Sequence, residues 1–126
     1  MKYNIFYLDD ETENLVAFKA LFRKEYNVFT TDSPKAGLEY LKDHDVDLVI
    51  TDQKMPEMTG VEFLKRVYDI KPDEPPCRMI FSGYSKTQAI EEAKQQNWLS
   101  LFISKPCDPD ELTTKVHDAI LNCNPK

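Results

Sequence analysis

Five side chains in this sequence have the types that phosphoryl chemistry requires: the carboxylates Asp9, Asp10 and Asp52, the Ser82 hydroxyl and the Lys105 ammonium. Each stands at or just past the end of a short apolar run: Phe6-Tyr7-Leu8 before Asp9-Asp10, Leu48-Val49-Ile50-Thr51 before Asp52, Met79-Ile80-Phe81 before Ser82-Gly83, and Phe102-Ile103-Ser104 before Lys105-Pro106. Three carboxylates brought together repel one another, so they either hold a proton or recruit a hard cation that takes oxygen ligands. Magnesium suits such a set, because it binds one or two carboxylates, keeps several waters and accepts a phosphate oxygen. Phosphoryl transfer then asks for an aligned nucleophile and for positive charge on the equatorial oxygens. Asp52 has the chemistry of that nucleophile and would form an aspartyl phosphate. Lys105 would supply a compact cation to one phosphoryl oxygen, and Ser82 a hydroxyl donor to another.

Taken singly, each residue has an ordinary alternative. Asp10 with Glu13 has capping-box spacing and would serve as a helix N-cap, Asp52 would begin the loop to Met55-Pro56, Ser82 would be a turn residue, and Lys105 a solvated loop lysine. The combination carries the functional reading, because four separate chain segments end in the right chemical type.

The elements that must position these residues follow from periodicity. Strand-like segments run from Tyr3 to Leu8, Tyr26 to Thr30, Val46 to Thr51, Arg78 to Ser82 and Leu101 to Ser104, each short and rich in β-branched or aromatic residues. Between them come helical stripes such as Leu15, Phe18, Leu21 and Phe22, and, at the end, Leu112, Val116, Ala119, Ile120 and Cys123. Thr59 with Glu62, Ser85 with Gln88 and Asp108 with Glu111 mark further helix starts, Pro34 and Pro109 follow cap residues, and Asn97 has the character of a left-handed helix terminator. Five alternating units predict an α/β fold: a five-stranded parallel sheet, doubly wound with five helices, in the flavodoxin-like order 2-1-3-4-5. Ligands of such sheets gather beyond the carboxyl ends of the strands, where the five residues stand.

A chain of 126 residues fits one domain, here 1–126. The net charge of -6 disfavours direct nucleic-acid binding. The apolar runs are too short for a membrane span, and the amino-terminal segment lacks signal-peptide features, so a cytoplasmic location is expected. Cys77, Cys107 and Cys123 have no CxxC spacing and read as free thiols. His44 and His117 lack metal-ligand spacing.

Across nearly the whole chain these residues resemble the receiver domain of two-component response regulators. The resemblance is carried by Tyr7-Leu8-Asp9-Asp10-Glu11, by Asp52-Gln53-Lys54-Met55-Pro56-Glu57-Met58-Thr59-Gly60, by Phe81-Ser82-Gly83-Tyr84 and by Lys105-Pro106. It implies that Asp52 is the phosphoacceptor, Asp10 a direct magnesium ligand, Asp9 a ligand acting largely through water, and the Lys54 backbone carbonyl a further ligand. It also implies that Ser82 and Phe102 form a switch pair, that Lys54 and Tyr84 tune hydrolysis, and that a sensor histidine kinase or histidine phosphotransfer protein is the donor. Such a chain catalyses only its own phosphorylation and dephosphorylation and is not otherwise an enzyme. Asp52-Gln53, Ser82-Gly83-Tyr84 and Lys105-Pro106 with Asp108-Pro109-Asp110-Glu111-Leu112 resemble a subgroup often fused to HD-type cyclic-dinucleotide phosphodiesterases or nucleotide cyclases. Cys107 departs from the tryptophan common there, and Phe102 lacks the hydroxyl of a tyrosine switch.

The output partner is unknown from the sequence, and the chain is either a stand-alone regulator or a fragment ending at a domain boundary. Trp98 is a candidate anchor for a phosphorylation-dependent homodimer, against the alternative of a core tryptophan. Two rival functions share parts of this pattern. A phosphatase of the haloacid-dehalogenase type needs an Asp-x-Asp pattern that Asp52-Gln53-Lys54 lacks, and a phosphorylation-independent pseudo-receiver would not need the complete site.

Overall fold

The computed structural model describes residues 2–73, 75–83 and 88–123. Tyr84 and the helix start expected at Ser85 lie outside them. Five strands, β1 (Asn4–Leu8), β2 (Asn27–Thr31), β3 (Leu48–Thr51), β4 (Cys77–Ser82) and β5 (Leu101–Ser104), alternate with five helices, α1 (Thr12–Phe22), α2 (Pro34–Asp43), α3 (Gly60–Ile70), α4 (Gln88–Gln95) and α5 (Pro109–Cys123). The strands pair in parallel in the order β2-β1-β3-β4-β5, the expected doubly wound arrangement.

Strand alternation divides the interior into two halves. Ile5, Tyr7, Leu48, Ile50, Met79 and Ile103 face one way and pack with Leu15, Phe18 and Phe22 of α1 and Leu112, Val116 and Ile120 of α5. Phe6, Leu8, Val49 and Ile80 face the other way, with Leu41 of α2, Phe63, Leu64 and Val67 of α3, and Ile90 of α4. Full burial of each large apolar side chain contributes roughly 1.5–3 kcal/mol. The second half packs closely enough that a methyl group on Gly37 of α2 would lie 2.6 Å from the Phe6 ring.

Several helix ends form as their sequences predict. Thr59 and Glu62 make a reciprocal capping box, Ser33 Oγ accepts from the Ala36 N–H beside Pro34, and Asp108 Oδ2 accepts from the Asp110 and Glu111 N–H groups. Asn97, beyond α4, has φ of 64°, the left-handed turn expected of it.

Three expectations are corrected. The N-cap position of α1 is Glu11 and not Asp10, because the turn after β1 carries the chain one residue further before the helix begins. Leu21 is 39% exposed, since the inward stripe of α1 runs through Leu15, Phe18 and Phe22 and leaves Leu21 on its rim. Cys77 and Cys123 are joined in a disulfide, and only Cys107 is a free thiol. Their separation of 46 residues hides the pair in the sequence, whereas α5 folded along β4 brings the two Cα atoms to 5.5 Å.

Candidate functional site

Parallel register places the reactive groups on one rim. Leu8 of β1 lies beside Thr51 of β3, so one residue further Asp9 and Asp52 emerge together, linked by a 3.0 Å hydrogen bond from the Asp52 N–H to the Leu8 carbonyl. Ser82 of β4 lies beside Ser104 of β5, and the Lys105 N–H donates to the Ser82 carbonyl at 2.9 Å. By the same alternation Asp9, Asp52 and Lys105 continue the α1/α5 side of the sheet. Lys105 accordingly reaches both carboxylates, with Nζ 3.0 Å from Asp9 Oδ2 and 3.7 Å from Asp52 Oδ2, and passes the Phe81 ring at 5.1 Å.

Asp9 is completely buried and accepts from four protein donors. Its Oδ2 accepts from the Tyr7 hydroxyl at 2.6 Å, Lys105 Nζ at 3.0 Å and Asn14 Nδ2 at 3.1 Å, and its Oδ1 from the Glu11 N–H at 3.0 Å. Burial pushes the Asp9 carboxyl up, but the hydrogen bonds from Tyr7, the Glu11 N–H and Lys105, with the charge of Lys105, outweigh it and hold the group below the usual carboxylate range. Asp10, next along the chain, is exposed.

Asp52 is 8% exposed, and its Oδ1 accepts from the Gln53 N–H at 2.8 Å. The loop after it is fastened to the start of α3: the Gln53 carbonyl accepts from the Gly60 N–H and Gln53 Oε1 from the Val61 N–H, both at 2.9 Å. A side chain at position 60 would collide with the Asp52 carbonyl oxygen, so glycine is required where α3 begins against the strand end.

Asp9, Asp10 and Asp52 each offer a carboxylate oxygen, all within 4.8 Å of one another. This donor set fits a hard divalent cation, with Asp10 and Asp52 nearer to open solvent and Asp9 enclosed by its donors. A cleft of about 730 Å³ opens beside them, lined by Asp10, Asp52, Lys54, Ser82, Gly83 and Lys105 among others. All five residues singled out by chemistry thus meet at one rim. Ser82 is fully buried, and Phe102 is half-buried against the α3/α4 half of the core, the side to which Ser82 also belongs by alternation. Trp98 is half-buried against the same half, with Lys65 Nζ 4.8 Å from its ring centre.

Sequence reasoning overlooked four supporting residues: Tyr7 and Asn14, which donate to Asp9, and Gln53 and Gly60, which fix the loop after Asp52. Tyr7 was legible in principle, because residues two apart on a strand share a face.

Residues 5–117 match the family model described as response regulator receiver domain. The chain is 34% identical over 116 residues to the hydrogenase transcriptional regulatory protein HoxA of Bradyrhizobium diazoefficiens, covering 92% of this chain but only 24% of that protein. It is 32% identical to sporulation initiation phosphotransferase F of Bacillus subtilis, covering 92% of both. The chain therefore spans about a quarter of the length of the first of these relatives and nearly all of the second. The signal receiver domain of an HD domain-containing protein from Pseudomonas fluorescens Pf-5 has the same fold, with a TM-score of 0.89, 23% identity and full coverage of both chains.

Proposed function

The chain belongs to the response regulator receiver family, and on that premise we propose that Asp52 is its phosphoacceptor, with Ser82 and Lys105 binding the phosphoryl group. The observation that carries this reading is the convergence of Lys105 on both Asp9 and Asp52 beside an open cleft. Asp52 Oδ1 is occupied by the Gln53 N–H, so Oδ2, on the Lys105 side, is the attacking oxygen. The P–N bond of a phosphohistidine breaks as the P–O bond to Oδ2 forms, and the imidazole nitrogen leaves with the bonding electron pair. Lys105 and the Ser82 hydroxyl take the phosphoryl oxygens.

Magnesium is the cation this donor set favours, with Asp10 and Asp52 as direct carboxylate ligands, Asp9 acting through water and the Lys54 carbonyl as a further donor. When bound it neutralises charge on the phosphoryl oxygens. Asp9 meanwhile anchors the Lys105 ammonium, and Gln53 and Gly60 hold the Asp52 backbone against α3. Ser82 and Phe102 are the switch pair: the hydroxyl turns toward the phosphoryl group and the ring follows inward. A near-complete switch requires about 5.5 kcal/mol of preference between states, within reach of several charge-assisted contacts.

A sensor histidine kinase or histidine phosphotransfer protein is the donor class. The chain is a self-phosphorylating and self-dephosphorylating switch that controls an output domain or protein, and Trp98 is a homodimer anchor to be tested by sizing. No helix of the described residues is long and apolar enough to cross a membrane. A cytoplasmic location fits a kinase-fed switch, and in a reducing compartment Cys77 and Cys123 would stand as neighbouring thiols.

Incubation with magnesium and acetyl phosphate should add the mass of one phosphoryl group, in an acid-stable and base-labile form. That gain should vanish in Asp52→Asn and on chelation. A gain that survives Asp52→Asn refutes the assignment.

A further inference from the structure

Tyr7 is 1% exposed, and its ring lies in the core against Phe18 of α1, with centroids 4.5 Å apart. Packing alone does not call for a hydroxyl there, since phenylalanine would fill the same volume. The hydroxyl nevertheless has a partner, Asp9 Oδ2 at 2.6 Å, and this is the shortest of the four hydrogen bonds described at that carboxylate. Tyr7 and Asp9 are two residues apart and share one face of the sheet, so the contact is built by the strand itself and does not depend on a loop.

The four donors divide the carboxylate unequally. Three side-chain donors meet Oδ2, and one backbone N–H meets Oδ1, so both torsions of Asp9 are fixed and Oδ2 is turned toward Lys105. Of these donors, Lys105 is shared with Asp52 and Asn14 is only part-buried. Tyr7 is the donor that is wholly within the core and bonded to Asp9 alone through its side chain. An uncharged donor in that place adds no competing positive charge to a site built for a cation, whereas a second lysine would.

We propose that Tyr7 is a positioning residue of the phosphorylation site, its buried hydroxyl holding Asp9 in the orientation that gathers Lys105 and sets the affinity for magnesium. The proposal rests on the metal-binding reading given above. Outer donors of this kind typically govern metal affinity by ten- to a hundred-fold, on the order of what is expected here.

The test is calorimetric titration of the whole chain with magnesium chloride, for the unaltered protein and for Tyr7→Phe. Tyr7→Phe should weaken magnesium about tenfold. Affinity unchanged by that substitution overturns the positioning role while leaving the metal site intact. If the unaltered protein takes up no magnesium, the site reading itself fails and the role of Tyr7 fails with it. A second measurement needs no variant: with tyrosine carbon-labelled at Cζ, the Tyr7 resonance should move during the magnesium titration with the same midpoint as the heat. A Tyr7 signal that stays fixed through saturation overturns the proposal even if Tyr7→Phe fails to fold.

Discussion

Two cations are withdrawn from solvent at opposite ends of the sheet, and they are held in opposite ways. At the amino end of β4, Arg78 is 7% exposed and gives its guanidinium donors to backbone carbonyls: Nε to Trp98 at 3.0 Å, Nη2 to Asn97 at 2.7 Å and Nη1 to Pro76, with the Tyr68 ring 5.3 Å away. At the carboxyl end, Lys105 lies between Asp9 and Asp52, near the first and at 3.7 Å from the second. Carbonyls neither titrate nor leave, so Arg78 serves as a fixed pin for the turn between α4 and β5. The two carboxylates repel each other, and on the proposed function the longer Lys105 contact is the one that gives way to an incoming phosphoryl group. The amino end is therefore built to stay as it is, and the carboxyl end to be rearranged.

The disulfide belongs to the fixed end, tying the first residue of β4 to the last turn of α5. Closing a loop across 46 residues restricts the unfolded chain by up to about 4 kcal/mol. Thermal or urea unfolding with and without a thiol reductant should show a loss of that order, and Cys123→Ser should abolish the dependence on reductant. Arg78→Met comes next. It strands carbonyls that have no other side-chain donor described, so stability should fall by about 3 kcal/mol in urea titration. The phosphorylation rate per folded molecule should stay within about threefold, because Arg78 is remote from the rim.

Lys105→Met should do the reverse, slowing phosphorylation by acetyl phosphate about a hundredfold, as expected for one preorganised donor to a phosphoryl oxygen. If Arg78→Met slows the chemistry as strongly, the division between a fixed and a rearranging end is broken. The smallest effect is a matter of pH. The folded Asp9 carboxyl lies below its unfolded value of about 3.9, so its contribution to stability is complete above that pH and is lost as pH falls through the lower, folded value. Melting temperatures followed from neutrality to about pH 3 should therefore drop less steeply in Lys105→Met, in which one cause of the depression is gone.

The rim was legible because register and chemistry reinforce each other. Four strand ends carry carboxylate, hydroxyl or ammonium side chains, and a parallel sheet aligns its strand ends, so Asp9, Asp52, Ser82 and Lys105 could be gathered without coordinates. The caps at Ser33, Thr59 and Asp108 were equally open, being local signals over three residues. What stayed hidden depends on distance or on the local path of the chain. Cys77 and Cys123 meet only because α5 returns along β4. Asp10 is the better cap residue by type, yet the path of the turn puts Glu11, which makes no side-chain cap hydrogen bond, at the helix start. Leu21 fits a helical stripe on spacing alone, but the width of the buried face ends before it. Tyr7 reads as an apolar strand residue until its hydroxyl is seen to meet Asp9.

Borohydride trapping tests the central claim most directly, because it converts an aspartyl phosphate to homoserine at the residue that carried it. After incubation with magnesium and acetyl phosphate, reduction and peptide mass mapping, homoserine should appear at position 52 and at no other aspartate. Homoserine at position 9 or 10, or its absence from a protein that has gained a phosphoryl group, would contradict the assignment of Asp52.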